Sequence, residues 1–129
     1  MAHPPPTPVH PAVAGTRPLT AHDLWRVPRV GAPAVAPDGR TLAVAVSTPD
    51  IDANLQRGRL WLVDTQGERA PRALTATETS ASAPRWSPDG RRIAFLRKSG
   101  EAGAKAQACL LPLEGGEAER LTDLPLGVT

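Results

Sequence analysis

Cysteine is almost absent. Cys109 stands alone in 129 residues, so no internal disulfide framework can form and a reducing compartment is the expected setting. Aromatic residues make up only 3% of the chain (three Trp, one Phe, no Tyr), which leaves few large side chains to fill a core. Charge of one sign is lacking too: 15 Lys and Arg against 13 Asp and Glu leave +2, too small a surplus for a nucleic-acid footprint, and no nucleic-acid partner is expected. No run approaches the ~18 apolar residues of a membrane span, so no membrane partner is expected. Residues Met1 to Pro18 contain no continuous apolar stretch of the ~7–15 residues a secretory signal needs, so the expected location is cytoplasmic.

Proline, by contrast, is plentiful, with 15 in the chain and six among the first 18 residues. Proline removes backbone donors and pushes its predecessor toward extended geometry, so residues 1–18 read as a disordered tail. The alternatives for this stretch are a proline-rich ligand for an aromatic groove and a metal site using His3 and His10, which lack a third ligand nearby. After it, Thr20 is placed to cap a short helix over Ala21–Arg26, Asp23 favours its positive end, and Pro28 stops it. His22 reads as a solvent-side residue of that turn, since no nucleophile or carboxylate context surrounds it.

The chain repeats itself. Ala34-Val-Ala-Pro-Asp-Gly-Arg-Thr-Leu-Ala-Val-Ala-Val46 matches Arg85-Trp-Ser-Pro-Asp-Gly-Arg-Arg-Ile-Ala-Phe-Leu-Arg97, and Asp38 and Asp89 lie 51 residues apart. That period belongs to propellers and solenoids. Pro37 and Pro88 preset φ for a tight turn, Gly39 and Gly90 take the left-handed conformation that follows it, and Asp38 and Asp89 sit between them. Ser87 can add a hydroxyl bond to its turn, whereas Ala36 cannot, so the first turn is expected to be the weaker. Leu60-Trp-Leu-Val63 followed by Ala73-Leu-Thr75 is echoed by Cys109-Leu-Leu111 followed by Arg120-Leu-Thr122.

The apolar runs Leu42–Val46 and Ile93–Leu96 read as strands buried on both faces. The expected class is all-β: two four-stranded antiparallel blades of an incomplete β-propeller, a disordered tail and one short helix. Strands are expected near Pro33–Ala36, Leu42–Ser47, Arg59–Val63 and Arg72–Thr75, then near Pro84–Ser87, Arg92–Arg97, Ala108–Leu111 and Glu119–Thr122. The organisation is a tail over 1–18, helix and lead-in over 19–32, one blade over 33–75, a connector over 76–83, a second blade over 84–122, and over 123–129 the start of a connector to a third. Two blades fall short of the ~4–8 of a closed ring. Outer faces would then leave Val44, Val46, Ile93 and Phe95 partly uncovered.

These residues bring a resemblance with them. The stretch from about Leu19 to Thr129 resembles the N-terminal β-propeller of the prolyl oligopeptidase family of serine peptidases, most nearly its acylaminoacyl-peptidase and dipeptidyl-peptidase-like branch. Trp86-Ser-Pro-Asp-Gly-Arg-Arg-Ile-Ala-Phe95 is similar to the TolB-type propeller repeat, and Leu19–Trp25 followed by Val30–Gly39 is similar to the approach to blade one in those peptidases. The resemblance implies a propeller that caps an α/β-hydrolase domain, gates or docks peptide substrates, and contacts further blades. The family's catalytic residues lie in the hydrolase domain and have no counterpart here: no Gly-x-Ser-x-Gly elbow occurs, and Ser47, Ser80, Ser82, Ser87 and Ser99 lack its glycines. A TolB-like interaction scaffold without an enzymatic partner is the second reading.

Other constellations are bland. Asp50-Ile-Asp-Ala-Asn54 opens like a calcium loop but has Leu55 in place of the glycine and Trp61 in place of the bidentate glutamate, so Thr48–Arg57 reads as a polar loop. Arg85, Arg91, Arg92, Arg97 and Lys98 read as a solvated edge, with a patch for peptide carboxylates as the alternative. Trp61, Trp86, Phe95 and Cys109 read as packing. No catalytic, metal or cofactor-binding residue is assigned, and no cofactor is expected; Pro37, Asp38, Gly39, Pro88, Asp89 and Gly90 are singled out as structural turn residues.

Overall fold

The computed structural model describes residues 17–101 and 103–129. His3, His10 and nearly all of the expected tail lie outside the described residues. The strands are Arg29–Val30 (β1), Ala34–Val35 (β2), Thr41–Asp50 (β3), Leu55–Asp64 (β4), Arg72–Ala73 (β5), Ser80–Trp86 (β6), Arg92–Lys98 (β7), Gln107–Pro112 (β8) and Glu119–Arg120 (β9). They form two antiparallel sheets, β1-β3-β4-β5 with β2 also on β3, and β6-β7-β8-β9. Among the described residues the fold is all-β apart from one 3-10 turn, Ala21–Trp25, which buries no residue. Thr20 is the N-cap of that turn and forms a capping box with Asp23, its backbone N–H and its hydroxyl both donating to the Asp23 carboxylate, at 2.8 and 3.0 Å.

The first sheet holds five strand segments where four were expected, because its edge strand is broken. Arg29 and Val30 face Ser47 and Val46, while Ala34 and Val35 face Ala43 and Leu42, so residues 31–33 stand opposite only Val44 and Ala45. The same slip occurs in β6, where Ala83 and Pro84 stand opposite Phe95 between the Ser82–Leu96 and Arg85–Ala94 pairs. Both bulges carry an Ala-Pro dipeptide, Ala32-Pro33 and Ala83-Pro84, again 51 residues apart. Proline cannot donate to the ladder, so the strand must bulge or stop there.

Two ends also differ from expectation. Thr48–Arg57 is not a loop: β3 runs to Asp50, β4 starts at Leu55, and only residues 51–54 turn. Hairpin tips need backbone pairing rather than apolar side chains, so a polar sequence carries strand here. Similarly, Ser80–Ala83 belongs to β6 and not to a connector.

The core lies between the sheets. Leu60 from β4 packs with Ala81, Phe95, Cys109 and Leu111 of the second sheet. Ile93 is also fully buried, and the Trp86 indole N–H donates to the Ala34 carbonyl at 2.7 Å, tying the second sheet to the first. Residues opposite one another in the ladders share a face, so Trp86, Ile93, Phe95, Cys109 and Leu111 line one side of the second sheet. Their counterparts in the first sheet, Val35, Leu42, Val44, Trp61 and Val63, line the side turned away from the second. Val35 and Val30 there are exposed, at 56% and 71%. Ile93 and Phe95 are therefore not on an uncovered outer face as expected, because they face the first sheet; Val44 is buried too, and Val46 is half-buried.

Candidate functional site

Both Pro-Asp-Gly-Arg turns close in the same way. The Gly39 N–H donates to the Ala36 carbonyl and the Gly90 N–H to the Ser87 carbonyl, each at 2.9 Å, with glycine φ of 71° and 72°. The Asp38 carboxylate accepts from the Arg40 N–H, and Asp89 from the Arg91 N–H. Ser87 adds two further bonds, donating to the Asp89 carboxylate and accepting from the Arg92 N–H. These bonds, the Ser87 hydroxyl first, hold the Asp89 carboxyl below its ordinary value. Pro37, Asp38, Gly39, Pro88, Asp89 and Gly90 thus sit in the two turns.

The junction between the sheets depends on residues that sequence reasoning passed over. Gly58 of β4 lies so close to β6 that an added Cβ would stand 2.3 Å from the Ala81 carbonyl oxygen, and its N–H donates to the Ser80 hydroxyl at 2.8 Å. At the far end of the second sheet, Gln107 is 9% exposed; it accepts from the Leu124 N–H and the Thr122 hydroxyl and donates to the Leu124 carbonyl. The Val128 N–H then donates to the Ala106 carbonyl. The chain thus meets the start of β8 with Gly127 and Val128 much as Ser80 and Ala81 meet β4. The spacing of Leu74-Thr75 to Ser80 and of Leu121-Thr122 to Gly127, five residues from Thr in each case, is the sequence signal for this.

Two concave regions stand out. One lies between the 3-10 turn and the tip of the β3–β4 hairpin, about 410 Å³, lined by His22, Trp25, Pro49, Asp50, Ile51 and Leu55 among others. His22 is the one histidine among the described residues, and no serine or cysteine lines this groove. The Asp50 carboxylate there accepts from the Ala53 N–H and from Arg57 Nε, and the Ala53 bond is the larger cause holding it below the ordinary range. Asp50 is committed to the hairpin tip, so it does not orient His22, and this region can bind but is not set for nucleophilic chemistry.

The second region is a cleft of about 540 Å³ where the β1 and β6 edges meet, lined by Arg29, Val30, Ala32, Ser82, Ala83 and Arg85 among others. Arg85, opposite Ala94, shares a face of the second sheet with Arg92 and Lys98, whereas Arg97 lies on the other face and lines a groove with Thr79 and Gln107. The basic residues adjacent in sequence are thus split between the two faces. Cys109 is fully buried in the core. Among the described residues no three His, Cys, Asp or Glu side chains gather as a metal site, and no helix is long and apolar enough to cross a membrane.

No protein-family model matches the chain. Over 112 residues it is 38% identical to the uncharacterized peptidase YuxL of Bacillus subtilis, covering 86% of this chain and 16% of that protein. It is also 38% identical over 82 residues to dipeptidyl-peptidase 5 of Porphyromonas gingivalis, covering 64% of this chain and 12% of the other. The chain therefore spans about one-sixth or less of the length of these curated relatives, which are peptidases. Among solved structures, it superposes on acylaminoacyl peptidase from Pyrococcus horikoshii with a TM-score of 0.60 at 20% identity, over 74% of this chain and 14% of that one. A protein described as TolB from Agrobacterium tumefaciens gives 0.54 at 26% identity, over 73% and 30%. The fold of the two sheets is thus shared with parts of an acylaminoacyl peptidase and a TolB-like protein, and the homologous sequences are peptidases.

Proposed function

We propose that the two sheets are successive blades of a β-propeller in a serine peptidase of the prolyl oligopeptidase type, and that they gate or dock peptide substrates for an α/β-hydrolase domain outside this sequence. The observation that carries the reading is 38% identity to a peptidase over 112 residues, a match long enough to take in most of both sheets. The apolar side of the first sheet supports it as well. Its counterparts in the second sheet are covered by a neighbouring sheet, so Val30, Val35 and the half-buried Trp61 suit a further blade packed the same way. Hydrolysis belongs to a Ser-His-Asp set in the other domain. A cytoplasmic setting is part of the proposal, and cell fractionation tests it.

The sequence that follows Thr129 is the first test: further blades and then a Gly-x-Ser-x-Gly segment are expected. The second is activity. The 129-residue chain alone should not hydrolyse acyl-amino-acid or dipeptidyl substrates, whereas the longer protein should, with complete loss under a serine-directed inhibitor. Turnover by the short chain, or a longer protein with blades and no elbow, overturns the peptidase reading. The latter outcome would favour the second reading, a TolB-like interaction scaffold, which the 26% identity to the Agrobacterium protein supports. Gating is tested separately in the longer protein, where Gly58→Leu at the sheet junction should raise turnover of large substrates relative to short ones.

A further inference from the structure

We propose that the chain's own proline-rich segment, Pro4–Pro11, docks in the groove between the 3-10 turn and the β3–β4 hairpin tip. Trp25 is the anchor. It is 56% exposed, whereas Trp61 and Trp86 are half-buried in their sheets. The groove, about 410 Å³, lies within the ~300–1,000 Å³ of ligand sites. It continues into a second hollow that shares His22, Trp25, Pro49, Asp50 and Ile51 with it, so the indole borders both. Trp86 spends its indole N–H on the Ala34 carbonyl; the Trp25 indole N–H and the Asn54 side-chain amide make no hydrogen bond among the described residues. The Asp50 carboxylate is already engaged by Ala53 and Arg57. The groove therefore offers a flat aromatic surface and unspent N–H donors.

The segment has the matching chemistry. Each proline lacks an N–H but keeps its carbonyl, so Pro4-Pro5-Pro6-Thr7-Pro8 is rich in acceptors and poor in donors. Proline also fixes φ and keeps its predecessor extended, which favours polyproline II geometry and leaves little conformational entropy to lose on docking. Segments of this kind bind aromatic-lined grooves. Residues 1–16 contain no Asp, Glu, Lys or Arg, so no strongly hydrated charge of those types has to enter. The connection commits the occupant to this chain. Both terminal guanidinium nitrogens of Arg17 bond the Asp23 carboxylate, within the turn that carries Trp25. Trp25 follows Asp23 by two residues, about 4 Å along such a turn. Pro11 lies six residues before Arg17, a reach of up to about 20 Å, so the segment meets the groove at an effective concentration on the order of millimolar.

The test compares the 129-residue chain with one lacking residues 2–12, by amide and indole chemical shifts. It needs no turnover, so it stands or falls apart from the peptidase reading. Removal is expected to move the Trp25 indole signal and the amides of Ile51 and Asn54, and to leave those of Phe95 and Cys109 in the core unmoved. The N-acetylated, C-amidated peptide of residues 2–12 should then restore the moved signals saturably, at concentrations on the order of millimolar. The same peptide with Pro4, Pro5, Pro6 and Pro8 replaced by Ala should bind about fivefold more weakly or worse. Trp25→Ala spares the sheets, because the turn buries no residue; in that variant removal of residues 2–12 should no longer move Ile51 and Asn54. Indole and tip signals unmoved by the removal, movement confined to other regions, equal binding of the two peptides, or the same movement in Trp25→Ala overturns the proposal. So does a difference between the two chains that fades on roughly tenfold dilution, which would give the groove to the segment of a second copy.

Discussion

Val44 and Phe95 occupy one position in two copies of a repeat, yet they meet different surroundings. Phe95 faces the first sheet and belongs to the core between the sheets, while Val44 faces the side that no sheet covers among the described residues. Their ladder partners are exchanged in size: Phe95 stands opposite small Cys109, and Val44 opposite large Trp61. The pairing thus keeps one large and one small side chain at this level of each sheet. The difference teaches that the sheets stack head to tail, the front of one on the back of the other, and that stacking rather than strand pattern decides which apolar residues form the shared core.

The largest expected effect tests that asymmetry. Phe95→Ala should cost about 3–5 kcal/mol, as large-to-small changes in closed cores do, and Val44→Ala, which removes less apolar surface, roughly half of that or less. Denaturant unfolding at low protein concentration measures both. Equal costs would break the comparison, because they would mean that the face bearing Val44 is covered as tightly as the one bearing Phe95.

The two junctions give the next contrast. At the first, glycine is on the sheet (Gly58) and the entering strand brings Ala81; at the second, the sheet brings Ala106 and the entering chain supplies Gly127, whose added Cβ would stand 2.8 Å from the Ala106 carbonyl oxygen. Gly58→Ala should destabilise by about 1–3 kcal/mol or more, since β4 and β6 are held by ladders on both sides of the overlap. Gly127→Ala should cost about 1 kcal/mol, chiefly for its positive φ, because Gly127 lies outside the strand ladders and its neighbours can give more readily. Thermal melts of the two variants check the order, and a reversed order would show that the segment around Gly127 is held more firmly than β6.

Legibility followed the same physics. The Pro-Asp-Gly turns were readable because proline and glycine fix backbone angles wherever they stand, and the all-β class followed from the apolar runs between them. The bulges were not read, although Ala32-Pro33 and Ala83-Pro84 repeat at the same spacing as the turns. The first residues of β6, Ser80-Ala-Ser-Ala83, look like a connector in the sequence because small residues carry no hydrophobic period. The same smallness lets β6 lie against Gly58. Arg29 and Arg85 are 56 residues apart, and only the folded edges bring them to one cleft.

A smaller effect separates the two turns. Ser87→Ala removes the hydroxyl from both the Asp89 carboxylate and the Arg92 N–H, and should cost about 1 kcal/mol at neutral pH. Because Asp89 titrates below its ordinary value when folded, the stability linked to it is present above the unfolded carboxylate value of about 3.9 and is lost as pH falls through the folded value. The gap between Ser87→Ala and the parent should therefore be widest at neutral pH and narrow in acid. A gap that stays constant from neutral pH down to acid unfolding would assign the effect to the Arg92 bond alone.

The smallest effect is the reverse substitution. Ala36 already has the backbone of Ser87, its N–H donating to the Thr41 carbonyl at 2.8 Å as that of Ser87 donates to the Arg92 carbonyl at 2.9 Å. Ala36→Ser would place a hydroxyl beside the Asp38 carboxylate and the Thr41 N–H, and should raise stability by a few tenths of a kcal/mol, on the order of half a typical hydrogen bond. The gain is modest because Ala36 is itself buried, so the new hydroxyl gives up water to make these bonds. In Asp38→Ala the same change should lose its benefit, since the acceptor is gone. If Ala36→Ser instead destabilises equally with and without Asp38, the second turn owes its extra bonds to the surroundings of Ser87 rather than to the serine.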